Sequence, residues 1–150
     1  MALANMTQIE TDNHNRETCK QIALNLEAYA NGNIYRCPDC GEIHHIENEN
    51  NGEELWFCPN CRNVKEFDDL EQLSLWDYFD DILDIKYLIG HDRETVEAVK
   101  ILITFGGPNI YIDTESRAVE LYWWTDRASY PIDHDVCNQI DEWAQELFTC

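Results

Sequence analysis

The sequence predicts an α+β fold: an N-terminal helix, a four-cysteine ribbon, an acidic helix, and an antiparallel three- to four-stranded meander with a C-terminal helix. Three observations carry this reading. Cys37-Pro38-Asp39-Cys40 and Cys58-Pro59-Asn60-Cys61 form two Cys-x-x-Cys knuckles separated by seventeen residues. Apolar residues recur at helical spacing near both ends of the chain. From Val99 to Trp124 they alternate with period two, interrupted by turn-forming residues. The expected units are residues 1–31, 32–67, 68–90 and 91–150, packed as one compact body. A helix laid on one face of a meander buries both apolar surfaces.

The first helix is expected from Arg16 to Ala30, with Ile22, Leu26 and Tyr29 on one stripe and Gly32 near its end. The knuckles follow. Their spacing is that of a zinc site, and four thiolates around a tetrahedral ion leave no open position, so the metal is structural. Cys37, Cys40, Cys58 and Cys61 are the expected ligands. Pro38 and Pro59 preset the knuckle backbone, and Gly41 supplies a position where φ can turn positive. Ile43–Ile46 and Leu55–Phe57 read as short strands joined across Asn48–Gly52. The alternatives are four unrelated buried thiols or two disulfides. His44 and His45 are possible substitute ligands, but a complete cysteine set makes them strand residues. Cys19, Cys137 and Cys150 remain as free thiols. With no apolar leader near the start and no long apolar run, the expectation is a cytoplasmic protein.

Thirty acidic residues oppose ten basic ones, a formal net charge of -20. Affinity for DNA or RNA comes largely from Lys and Arg neutralising phosphates, so direct nucleic-acid binding is not expected. Solubility alone needs far less charge, and an acidic face steers a basic partner. Leu75 to Ile89 is expected to form a second helix, with Ser74 and Asp77 as its capping box and Gly90 past its end. Asp77, Asp80, Asp81 and Asp84 then share one face, about one charge per 2.6 Å of axis against about 1.7 Å for duplex DNA. They are the candidate partner-binding residues; the alternative is an ordinary solvated face.

In the last sixty residues, strands are expected at Val99–Phe105, Asn109–Asp113 and Val119–Trp124, with a short one at Ala128–Tyr130. Asp133 should cap a helix ending near Phe148, with Val136, Ile140, Trp143 and Leu147 inward. Alternation puts Trp123 in the core and Tyr122 with Trp124 on the other face. No catalytic site is expected. His134 and Cys137 are neighbours on the last helix, but nothing like an oxyanion device accompanies them, and Gly106-Gly107-Pro108 lacks the lysine of a phosphate loop.

Phe105-Gly-Gly-Pro-Asn-Ile-Tyr-Ile-Asp-Thr, Val119-Glu-Leu-Tyr-Trp-Trp and Arg127-Ala-Ser-Tyr-Pro-Ile resemble a module of small acidic proteins from phages and mobile elements of Gram-positive bacteria. With its knuckles, the chain resembles a zinc-binding anti-CRISPR protein, an inhibitor of the type II RNA-guided nuclease. The resemblance implies a non-enzymatic inhibitor that obstructs guide or target handling in the host cytoplasm. That nuclease holds its heteroduplex in a basic channel, which suits an acidic surface. The other expectation is a zinc-ribbon adaptor in a transcription or replication assembly.

Overall fold

The computed structural model describes residues 7–46 and 55–150. Helix α1 (Gln8–Ala30) begins a full two turns before the expected start. Thr7 and Glu10 build a reciprocal capping box there, which satisfies orphan N–H groups without an apolar stripe. Strand β1 (Ile34–Arg36) pairs antiparallel with β2 (Ile43–His45), and β3 (Leu55–Phe57) with β4 (Val64–Glu66). Each hairpin therefore wraps its own knuckle. The expected pairing of Ile43–Ile46 with Leu55–Phe57 does not occur, and the turn proposed for it lies outside the described residues. Strand β5 (Glu71–Gln72) joins β1 on its free side, aided by Arg36 and Glu71 at 3.3 Å.

The expected acidic helix is replaced by two different structures. Helix α2 is only Leu75–Tyr78, closed by the Ser74–Asp77 capping box as read from the sequence. After a turn, strand β6 runs from Asp84 to Ile89, turning Ile85, Tyr87 and Ile89 inward in strict alternation. The competing pattern won because Asp84-Ile-Lys-Tyr-Leu-Ile is rich in β-formers and has a neighbour to pair with. A long helix would also have held Asp77 beside Asp81 and Asp80 beside Asp84, two repulsive pairs that the strand avoids.

The meander is larger than expected. Strands β7 (Val96–Thr104), β8 (Asn109–Asp113), β9 (Ala118–Trp123) and β10 (Asp126–Pro131) follow β6 in a five-stranded antiparallel sheet, order β10-β9-β8-β7-β6. Helix α3 (His134–Thr149) ends the chain, close to its expected span. Helix α1 lies against β9 and β10, and α3 against β7. Cys19, Ala23 and Leu26 of α1 meet Ile101, Ile112, Val119 and Leu121 of the sheet and Val136, Ile140 and Trp143 of α3 in one core. Burying each such leucine or isoleucine contributes about 1.5–3 kcal/mol.

Trp123 is not in that core. It has the parity of Val119 and Leu121, but it ends β9 against the turn at Gly107 and not among the core side chains, and the indole stays 39 % exposed. Trp124 does not share a face with Tyr122, because it occupies the β9–β10 turn with φ 56°. A smaller cluster of Ala28, Ile34 and Leu73 fastens the β1–β2–β5 sheet to the end of α1.

Candidate metal centre

The two knuckles repeat one local geometry. In the first, the Gly41 N–H donates to the Cys37 carbonyl and the Cys37 N–H to the Glu42 carbonyl, both at 2.9 Å. In the second, Arg62 donates to Cys58 at 2.9 Å and Cys58 to Asn63 at 3.0 Å. Position five of each knuckle is left-handed, with φ 76° at Gly41 and 64° at Arg62. This winding turns both sulfurs of a knuckle to one side.

The four sulfurs of Cys37, Cys40, Cys58 and Cys61 converge within 4.8 Å of one another. Across the knuckles, Cys37 Sγ lies 3.8 Å from Cys61 Sγ, and Cys40 Sγ lies 3.7 Å from Cys58 Sγ. A cation bound tetrahedrally at about 2.3 Å from each sulfur sets its ligands about 3.8 Å apart, so these four residues fit a single metal ion. None of the four is in a disulfide.

The electrostatics of the cluster are uneven. The Asn60 side chain, helped by the Glu42 backbone N–H, brings the Cys40 thiol down to about 7. At Cys61 the Asn63 N–H is the largest influence and favours the thiolate. Burial and the other three sulfurs nevertheless prevail and push that thiol up to about 12. Four sulfurs this close resist carrying four negative charges. A cation among them reverses that preference, since a coordinating thiol is deprotonated outright.

Several groups beyond the four cysteines surround the sulfurs. His44, in β2 as expected, has its Nε2 3.6 Å from Cys58 Sγ and its ring on Trp56, so it partners one of the four sulfurs. Asp39 of the first knuckle bonds Asn63 at 2.9 Å and Lys65 at 2.9 Å, bridging the two hairpins. Lys65 foremost, then Asn63, hold the Asp39 carboxyl below its ordinary value. No linear spacing marks these contacts, because each depends on how one hairpin sits over the other.

The remaining candidates are dispersed. Asp77 is bound to its own cap, accepting from the Ser74 N–H at 2.7 Å. Asp80 and Asp81 occupy the turn after α2, Asp84 opens β6 opposite Leu102, and all four aspartates are exposed. They share no helix face. His134 pairs with Asn138 in solvent, whereas Cys137 is buried in the core. Burial pushes the Cys19 and Cys137 thiols up to about 11. Among the described residues no helix is long and apolar enough to cross a membrane. The chain matches no protein-family model, no curated protein and no solved structure.

Proposed function

We propose that this chain is an acidic, zinc-stabilised, non-enzymatic inhibitor in the bacterial cytoplasm. It occupies a basic surface of a type II RNA-guided nuclease and blocks nucleic-acid loading or cleavage. The observation that carries the reading is the surface of residues 66–84. Glu66, Asp68, Asp69, Glu71, Asp77, Asp80, Asp81 and Asp84 are all exposed, and the segment contains no Lys or Arg. It is a field of carboxylates even without a helix, and such a field draws in a basic partner. The resemblance of the carboxy-terminal module and knuckles supports the choice of nuclease. Zinc is the metal that best suits four thiolates in a closed tetrahedral site: it has no redox chemistry and holds the two hairpins together without taking part in a reaction.

The test replaces Asp80, Asp81 and Asp84 together with Lys and leaves Asp77 in its cap. Affinity for the guide-loaded nuclease should fall roughly tenfold or more, mainly through the on-rate and most strongly at low salt. Elemental analysis of protein purified without chelator should find one zinc per chain; iron in its place would overturn the assignment of the metal. A folded, metal-loaded triple variant that inhibits cleavage as wild type does would remove these carboxylates from the interface. Binding of random-sequence DNA or RNA by the wild-type protein would favour the adaptor reading instead.

A further inference from the structure

The β7–β8 and β9–β10 turns emerge at the same end of the five-stranded sheet, where Asn109 pairs with Tyr122. Phe105, Trp123 and Trp124 stand on that end, 74, 39 and 87 % exposed. The two indoles meet edge to face at 5.7 Å, and Trp123 also rests on the β7–β8 turn. A Cβ at Gly107 would lie 3.0 Å from its ring, so any side chain there would press on the indole. The two indoles are therefore held against each other and the turn before any partner arrives. Exposed Leu83 joins it from the β6 side, its N–H bonded to the Leu102 carbonyl at 2.9 Å.

Trp124 adds a second observation. It is the first residue of a two-residue hairpin loop, with φ 56°, a backbone conformation that bulky side chains rarely adopt and that such turns give to glycine. A large apolar side chain is thus kept almost wholly in water on strained backbone, at a cost to the fold. Strain of this kind concentrates where a side chain is wanted for contact. Trp is also the residue type most enriched among the few that dominate protein interfaces.

We infer that Phe105, Trp123 and Trp124 form an anchoring surface that inserts into an apolar pocket rimmed by Lys and Arg on a partner protein. The rim follows from charge. Asp80, Asp81 and Asp84 flank the aromatics on the β6 side. Asp12 and Asp126, both bonded to Gln8, flank them beside β10, where Arg16 and Arg127 are turned onto the Tyr130 and Tyr122 rings. Residues 80–85, 102–110 and 123–126 contain no Lys or Arg. Phosphates, whether of nucleic acid or of an anionic membrane, would meet the exposed carboxylates of Asp80, Asp81 and Asp84 beside the aromatics, as would a second copy of this chain. This inference rests on the inhibitor reading for the identity of the partner, and it adds the contact that gives the complex its lifetime.

The experiment measures binding to the guide-loaded type II nuclease for wild type, Trp124→Gly, Phe105→Ala with Trp124→Ala, and the Asp80, Asp81 and Asp84 to Lys triple variant. Trp124→Gly relieves the backbone, so its thermal midpoint should equal or exceed that of wild type while its affinity drops at least about tenfold. That loss should lie in the off-rate and persist at high salt, whereas the charge reversal should act on the on-rate and fade with salt. If the aromatic variants bind as tightly as wild type, the anchoring surface is refuted while the inhibitor reading stands. Failure of the wild type to bind the nuclease overturns both. Concentration-dependent self-association, or binding of single-stranded DNA, that disappears with Trp124 would assign the surface to a second copy or to base stacking and also refute the basic-rimmed partner.

Discussion

His44 shows how much of a thiolate cluster lies outside its four ligands. Its Nε2 meets Cys58 Sγ at 3.6 Å, and losing such a partner of a ligand typically lowers metal affinity by about 10–100-fold. His44→Ala should therefore still bind one ion, released to a chromophoric chelator at roughly tenfold lower chelator concentration than from wild type. Cys58→Ser, which removes a ligand, should bind none tightly. In the core, Leu121→Ala should cost about 2–5 kcal/mol in denaturant unfolding, because Leu121 is sealed in the core on the strand that α1 covers. The convergence of the four cysteines was legible in the sequence because each Cys-x-x-Cys is a local object whose spacing carries its own geometry. His44 was not, since the direction of its ring depends on the β1–β2 register. Trp123 was misjudged for a related reason. Alternation gives the parity of a side chain, and says nothing about how far along a strand the core extends.

Elements met the same limit in different ways. The two knuckles differ at their left-handed position, glycine in one and arginine in the other. A Cβ at Gly41 would meet nothing within 4 Å, so Gly41→Ala should cost only the backbone term, about 1–2 kcal/mol. Arg62→Gly should be neutral or slightly stabilising. Thermal midpoints of the metal-loaded proteins would compare the two, and a Gly41→Ala loss far above that range would mean that the turn has more than a conformational role. The segment after Ser74 carried two valid patterns at once. Its capping box is real and starts a helix, yet Ile85, Tyr87 and Ile89 alternate like the strand they form. Periodicity could not arbitrate, because the deciding factor was the open edge of β7, a feature more than ten residues further along. The strands of the meander were easier to read: each is flanked by its own turn and pairs with its chain neighbour.

Charge acts on the whole molecule with two signs. At -20 the folded protein repels itself, and salt screens that repulsion over a Debye length of about 10 Å at 0.1 M. Raising salt from low to physiological concentration should thus raise the thermal midpoint while weakening association with a basic partner. Parallel shifts of both in one direction would contradict the electrostatic account of the interface. The order of the sheet has a consequence of its own, in time. Strands β6 to β10 are joined entirely through hairpins between consecutive strands, so their pairings are local and can form quickly. If the four cysteines take up zinc as proposed, the knuckles must instead close the chain between Cys40 and Cys58 around an ion that arrives from solution. Maturation should therefore run in two stages, a rapid one that is indifferent to zinc and a slower one whose rate rises with zinc concentration. Trp143 in the core and Trp56 beside His44 would report them separately, the first reaching its final fluorescence under chelation and the second waiting for metal. The supply of the ion would then set the pace at which finished molecules appear, with the sheet already waiting when it comes.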